Sequence, residues 1–308
     1  MSNLEDSAKY IEKLLDKRLE ESERAIAKRY ALLLDEIRKE IAKLYESYEK
    51  DGVLTYAEMA KYDRLNKFLT YVNGLLVTNY KDVKKVIYDV LNDTYFEGYY
   101  RTAWAIETDS LSKLAYAAVT PETITAMIEN PIAGLTLTQV LEKNRANIIY
   151  TIQGEVTQGL VKGETYKTMA TRLHESLESD ANKSMRIVRT EAHRVSEGAK
   201  LDSAVHADKN GVIMAKKWNS SEDERVRHKK KGKRIVSHRD LDREKPIPVD
   251  DYFEQGRGKG KAPGQMGAPE HDINCRCFTT YSIEKIEKVD AKELENMAFE
   301  TWERERLR

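Results

Sequence analysis

Residues 4–48 read LEDSAKYIEKLLDKRLEESERAIAKRYALLLDEIRKEIAKLYESY, and mainly apolar side chains recur along them in steps of four, four and three. The repeat consists of Leu4, Ala8, Ile11, Leu15, Leu19, Ser22, Ile26, Tyr30, Leu33, Ile37, Ile41, Leu44 and Tyr48. Such a repeat corresponds to about 3.67 residues per turn and predicts one long, straight or slightly right-handed helix. At about 1.5 Å per residue the helix reaches roughly 70 Å, so its apolar stripe needs a partner helix from this chain or another.

A second long helix is predicted after a turn at Asp51 and Gly52. Thr55 and Glu58 have the spacing of a capping box, in which each side chain bonds to the other residue's backbone N–H. Helically spaced apolar residues follow at Met59, Tyr62, Leu65, Leu69, Val72, Leu76, Val83, Ile87 and Val90. The sequence therefore predicts an antiparallel helical hairpin.

The rest of the chain changes from a helical to a mixed pattern. The predicted elements are helices starting at Thr120-Pro121 and at Thr136, helices over about 166–177 and 181–205, a strand at 212–218, and a last helix from about Asp290. Glycines and prolines are dense between Gly232 and Pro269. The predicted fold class is α+β, with a mainly α-helical N-terminal stem and a small C-terminal α+β module.

Composition excludes several classes of protein. The 308 residues carry 52 basic and 52 acidic side chains, so the molecule as a whole is not a polycation that would coat nucleic acid. No stretch approaches the roughly 20 apolar residues of a membrane span, and no signal peptide is recognisable. We expect a cytosolic chain without membrane contact, in which Cys275 and Cys277 stay reduced.

A series of short motifs occupies residues 189–277. It consists of Arg189, Thr190 and Glu191 in a predicted helix, Trp218 in the strand, Asp223 in a D-x-R-x-R turn, and Asn274, Cys275, Arg276 and Cys277 at the end. Their order and spacing over residues 136–278 resemble the minor head protein family of tailed bacteriophages, the phage Mu F-like proteins. The resemblance is closest to members from siphophages of Gram-positive hosts.

The resemblance implies a function in the virion. Proteins of this kind dock on the portal, enter the procapsid during assembly and influence how DNA leaves the head. The implied partners are the portal protein, double-stranded DNA, and scaffold or coat protein of the procapsid. The implied location is the capsid interior near the portal, after assembly in the host cytoplasm. We accordingly divide the chain into a helical association region (1–135), a Mu F-like module (136–283) and a C-terminal helix (284–308).

A basic loop is the predicted DNA contact. Seven basic residues lie between positions 225 and 234 with no acidic residue among them. The predicted phosphate-binding residues are Arg225, Arg227, Lys229, Lys230, Lys231, Lys233, Arg234, Arg257, Lys259 and Lys261. Such contacts bind duplex DNA without reading its sequence. The alternative is an ordinary solvated surface, which would make the protein a structural adaptor without DNA contact.

The two cysteines allow three interpretations. Two thiolates and imidazoles from His228, His238 or His271 can complete a tetrahedral zinc site with Cys275 and Cys277. The alternatives are buried structural thiols with no cofactor, or a cysteine nucleophile activated by His271.

An enzymatic module is the competing class of function. An ADP-ribosyltransferase would use an arginine and a glutamate such as those of the R-T-E motif, but the sequence does not supply the combination of a Ser-Thr-Ser strand and an E-x-E loop that such enzymes have. A toxin-like nuclease is a second enzymatic alternative, although little sequence follows Cys277 to hold a further domain. We expect no enzyme and predict no catalytic residue.

Overall fold

The computed structural model describes residues 2–132, 134–221, 226–227 and 236–307. The α-helices within these residues are α1 (Asn3–Tyr48), α2 (Tyr56–Ala60), α3 (Arg64–Ser110), α4 (Pro121–Ile128), α5 (Leu137–Lys162), α6 (Tyr166–Lys209), α7 (His238–Asp242), α8 (Pro269–Asp272) and α9 (Phe299–Arg306). The strands are β1 (Val212–Asn219), β2 (Ile247–Pro248), β3 (Phe253–Gln255), β4 (Gly258–Gly260) and β5 (Phe278–Ile286). Short 3-10 helices cover Lys61–Asp63 and Lys292–Leu294. The predicted α+β class is confirmed, and none of the described helices is both long and apolar enough to cross a membrane.

The predicted hairpin is present, but its second helix begins later than expected. Thr55 caps only the short helix α2, by accepting a hydrogen bond from the backbone N–H of Glu58. Tyr62 has a φ of 54°, outside the helical region, so the chain kinks before α3 starts at Arg64. The capping-box spacing therefore marked a true helix start, and the extended backbone at Lys61, with a ψ of 136°, ends that helix.

Two further helix predictions are corrected. The pair of helices expected over about 166–177 and 181–205 is one continuous helix, α6, because no glycine or proline interrupts residues 178–180. The last helix, expected from about Asp290, begins at Phe299 and follows a 3-10 turn.

The chain forms two compact units, each assembled from separate stretches of sequence. Unit 1 comprises Met1–Leu19, Asp89–Leu137 and Val188–Arg308, and unit 2 comprises Glu20–Tyr88 and Thr138–Ile187. The division into consecutive segments made from the sequence remains a prediction about functional organisation.

Unit 2 is a bundle of helical segments from α1, α3, α5 and α6. Its fully buried side chains include Ile26, Ile37, Ile87, Ile152 and Leu173. Polar contacts also join the segments, since the Tyr30 hydroxyl lies 2.9 Å from the Ser184 hydroxyl and the Asn79 amide donates to the Arg29 carbonyl at 3.0 Å. The apolar stripe of α1 thus finds partner helices within this chain.

Unit 1 is built around the C-terminal half of α6. An antiparallel sheet with strand order β2-β1-β5 belongs to this unit, and Trp218 of β1 pairs with Thr279 of β5. Lys216 of β1 is fully buried, and its ammonium group donates to the carbonyls of Asp251 and Lys261 at 2.6 and 2.8 Å. That amine ties the central strand to the loops on either side of the β3-β4 hairpin.

Candidate functional site

The C-terminal motifs meet in a small core of unit 1. Its buried members are Trp218, Leu241, Phe253, Met266, Cys275 and Cys277. His238, at the start of α7, packs edge-on against the Trp218 ring with centroids 5.2 Å apart. Strand β1, helix α7 and the segment before β5 therefore bring one histidine and both cysteines together.

Two sulfur atoms and one imidazole nitrogen, all possible metal donors, lie close together in this core. The Nδ1 atom of His238 is 3.3 Å from the Sγ atom of Cys277 and 3.6 Å from that of Cys275. All three side chains are buried, and their donor atoms lie within 4.8 Å of one another. Of the five predicted metal ligands, the structure thus groups His238, Cys275 and Cys277, while His228 lies outside the described residues.

His271 contacts the ring nitrogen of His238 that does not face the thiols. Its Nδ1 atom lies 3.3 Å from Nε2 of His238, and the two rings stack with an interplanar angle of 17°. A Cβ atom at Gly258 would come within 2.6 Å of the His271 ring, so only glycine leaves room for it. Burial lowers the pKa of His271, which favours the neutral ring that can accept a hydrogen bond.

The contact between the two thiols shifts their pKa values in opposite directions. A hydrogen bond from Cys277 lowers the pKa of Cys275 well below its ordinary value despite burial, and His193 and His238 lower it further. The same hydrogen bond and burial raise the pKa of Cys277. His193 of α6 also lies beside Cys275: burial lowers its pKa, but the contact with that thiol and the charge of Glu197 raise it on balance. The pair is thus suited to hold negative charge on Cys275.

Glu191 of the R-T-E motif forms a buried clamp with Arg194 on α6. Arg194 donates from Nε and Nη2 to one carboxylate oxygen of Glu191 at 2.9 and 2.8 Å, and both side chains are buried. Its remaining donors reach the carbonyls of Met127 and Ile128, at the end of α4, at 2.7 and 2.8 Å. Burial raises the pKa of Glu191 more than Arg194 lowers it, so the carboxylate depends on this arginine to stay ionised.

The two ends of the motif series touch. The hydroxyl of Thr190 accepts a hydrogen bond from the backbone N–H of Asn274 at 3.3 Å. Asn274 has a φ of 56°, a left-handed conformation that asparagine tolerates. Arg189 and Arg276 are exposed, whereas Trp218 is buried, and Asp223 lies outside the described residues.

The described part of the predicted DNA contact is already paired with acids. Arg257, Lys259 and Lys261 lie 2.8, 2.6 and 2.5 Å from carboxylate oxygens of Glu270, Glu254 and Asp250, respectively. Arg227 donates to the carbonyl of Ile273. The other predicted phosphate contacts, Arg225, Lys229, Lys230, Lys231, Lys233 and Arg234, lie outside the described residues.

Sequence reasoning missed the roles of Arg194 and His193. Both lie next to the R-T-E motif, but their partners Met127 and Cys275 are distant in sequence. The available signal was the spacing of Glu191 and Arg194, which are three residues apart and therefore adjacent on a helix. Nothing local indicated that this pair would be buried.

Comparison with known proteins agrees with these motifs. The sequence model of the family described as "Phage Mu protein F like protein" matches residues 150–280. Minor head protein GP7 of Bacillus phage SPP1 is 34% identical over 275 residues, which cover 89% of this chain and 86% of that protein. The chain belongs to the phage Mu F-like family of minor head proteins. The family resemblance inferred from residues 136–278 is thereby confirmed.

Two further proteins are similar to the chain at lower identity. An NAD(+)–arginine ADP-ribosyltransferase, EFV, from Enterococcus faecalis is 25% identical over 261 residues, covering 83% of this chain and 52% of that enzyme. An uncharacterized protein of Haemophilus influenzae is 25% identical over 153 residues, or 49% of this chain and 29% of that protein. The phage Mu F-like chain therefore spans about half the length of the transferase. No solved structure matches the chain.

Proposed function

We propose that this minor head protein docks on the portal inside the head, contributes to head morphogenesis and influences DNA exit at infection. In the procapsid its neighbours are the portal and scaffold or coat protein, and in the filled head it contacts double-stranded DNA without sequence preference. The observation that carries the proposal is the identity to a minor head protein along 86% of that protein's length. Because this identity covers most of the chain, it includes residues of both compact units.

One end of unit 2 offers the docking surface. We call it the bundle tip, residues 51–63 together with residues 161–165. Tyr62 is 79% exposed and Val161 is 68% exposed, and a Cβ atom at Gly163 would lie 3.2 Å from Val53, which places both segments at one end. Tyr62 and Asp63 also have positive φ values of 54° and 61°, and strained backbone of this kind clusters at functional sites. Exposed aromatic and apolar groups on a compact helical bundle suit recognition of another protein.

Affinity purification from phage-infected cells tests this surface. Tagged wild-type protein is expected to recover the portal protein as its dominant partner after nuclease treatment. The double variant Tyr62→Ser, Val161→Ser removes the exposed tip side chains, and we expect it to recover the portal about tenfold less, equivalent to about 1.4 kcal/mol of binding free energy.

Tyr150→Ser is the matched control, because Tyr150 is also 79% exposed but lies mid-helix on α5. It should recover as much portal as the wild type. Absence of portal from the wild-type sample would contradict docking itself. Equal recovery by the tip variant would move the docking surface elsewhere on the protein.

The proposed DNA contact rests on the basic run from Arg225 to Arg234. Arg257, Lys259 and Lys261 already neutralise nearby carboxylates, so they add little net positive charge for phosphates. The run contains seven basic residues and no acid, which supports it as the phosphate-binding segment. If it binds no DNA, the protein is a structural adaptor with the same docking function.

A non-enzymatic role fits the geometry of Glu191 better than transferase chemistry. Arg189 of the R-T-E motif is exposed, but Glu191 is 5% exposed and accepts hydrogen bonds from Arg194, which is 1% exposed and also donates to two backbone carbonyls. A glutamate enclosed in this way is not presented to a nucleotide. Incubation of the protein with labelled NAD+ and host extract is expected to transfer no ADP-ribose, and transfer that disappears in a Glu191→Gln variant would contradict this conclusion.

A further inference from the structure

We infer that His238, Cys275 and Cys277 hold a structural zinc ion in unit 1. The inference is independent of portal docking and of DNA contact, since it concerns only the buried core of the C-terminal module.

The donor distances match a tetrahedral zinc site. With Zn–S bonds of about 2.3 Å and Zn–N bonds of about 2.0–2.1 Å, a sulfur and a nitrogen ligand lie about 3.6 Å apart. The Nδ1 atom of His238 lies 3.3 Å from one sulfur and 3.6 Å from the other. A metal ion therefore needs no large rearrangement of these three side chains.

The chemistry of the donors favours zinc over harder ions. Thiolate and imidazole ligands select zinc, copper(I) or iron, whereas magnesium and calcium require oxygen ligands. No carboxylate belongs to the three-residue group found among the described residues. Tetrahedral sites of mixed sulfur and nitrogen donors are the usual form of structural zinc.

His271 completes the arrangement as a supporting residue. A histidine that binds metal through one ring nitrogen commonly donates the other N–H to a fixed acceptor, which sets the tautomer. When Nδ1 of His238 binds the ion, its Nε2–H faces Nδ1 of His271 at 3.3 Å. Gly258 keeps the space that the His271 ring occupies.

The fourth position is assigned to His193. This residue of α6 lies beside the Cys275 thiol, and its Nε2 atom is buried with no hydrogen-bond partner among the residues that the structure describes. His193 lies outside the group of three whose donor atoms are within 4.8 Å of one another, so its ring must move towards the ion to bind it. A bond from His193 to the ion would join the R-T-E helix to the segment before β5. The zinc ion would then fasten α6, α7 and the two-cysteine segment around a core of only six buried residues, where a metal contributes directly to folding.

Metal analysis of the full-length protein tests the assignment. Protein purified without chelators is analysed by inductively coupled plasma mass spectrometry, and about one zinc per chain is expected. The single variants Cys275→Ser, Cys277→Ser and His238→Ala should lose the ion. His174→Gln is the matched control, because His174 is 51% exposed and lies in unit 2, so this variant should keep the ion.

Two further measurements keep the test decisive if a ligand variant fails to fold. Cobalt(II) added to metal-free wild-type protein should give the charge-transfer absorption of thiolate bonds. In competition with a chelator, His271→Ala should weaken zinc binding by about 10–100-fold. Wild-type protein without stoichiometric metal and without the cobalt signal would overturn the proposal, leaving the cysteines as buried structural thiols. Unchanged affinity in His193→Ala would overturn the fourth ligand.

Discussion

At the scale of single residues, Arg194 is a buried charge of unit 1 whose guanidinium is fully engaged. It satisfies a buried carboxylate and two carbonyls at the end of α4, and it is 1% exposed. A buried ion pair of this kind adds little to the free energy of unfolding compared with apolar side chains of similar size. Removing one partner, however, leaves the other charge buried without a counter-ion, which is strongly destabilising.

Arg194→Ala is therefore expected to destabilise unit 1 by about 3–5 kcal/mol, because Glu191 loses its partner and two carbonyls lose their donors. Urea unfolding followed by circular dichroism measures the change. Lys39→Ala removes an exposed ion pair and should leave the unfolding midpoint unchanged. Similar stability of Arg194→Ala and wild type would mean that the clamp is dispensable.

At the scale of elements, the short helix α9 is held by its aromatic side chains. Phe299 and Trp302 are buried, and the Trp302 indole donates to the Glu107 carboxylate of α3 at 2.7 Å. The same carboxylate accepts from Arg306 and from the backbone N–H of Leu114. An eight-residue helix is too short to be stable alone, so tertiary packing maintains it.

Trp302→Ala should lower the free energy of unfolding by about 3–5 kcal/mol, because it opens a cavity and removes one hydrogen-bond donor from the Glu107 carboxylate. We expect faster amide hydrogen exchange throughout α9 and in the segment of α3 around Glu107. Arg304→Ala changes an exposed residue of the same helix and should exchange like the wild type. Unchanged protection of α9 in Trp302→Ala would show that other contacts dock the helix.

At the scale of the whole molecule, charge balance makes DNA binding a local property. The 52 basic and 52 acidic residues cancel, so any affinity for phosphate must come from the basic run. The logarithm of the DNA-binding constant falls linearly with the logarithm of the salt concentration. Each phosphate contact adds about 0.9 to the magnitude of that slope.

Replacing Lys229, Lys230, Lys231 and Lys233 by glutamine is expected to reduce the magnitude of this slope by as much as about 3–4. Fluorescence anisotropy with duplexes of unrelated sequence measures it. The charge-matched control variant carries glutamine at four other lysines, which lie in unit 2 and are 54–79% exposed: Lys39, Lys43, Lys50 and Lys61. A flat wild-type curve between low and moderate salt, or equal loss in both variants, would favour the adaptor without DNA contact.

The sequence by itself determined the long helices α1 and α5, most of α3, the strand β1 and the family, whereas it divided α6 in two. Helical periodicity is local, since residues three and four apart share a face whatever surrounds them, and the motifs are continuous strings. The starts of α4 and α5 followed from the same local signals.

Only the tertiary structure decided which residues meet. The contacts between His238 and Cys277, between Thr190 and Asn274, and between Arg194 and Ile128 join residues 39, 84 and 66 positions apart. Each of the two units is likewise assembled from stretches that are separated in sequence. Burial of a charge or a thiol depends on what packs over it from elsewhere in the chain, and no local pattern encodes that neighbour.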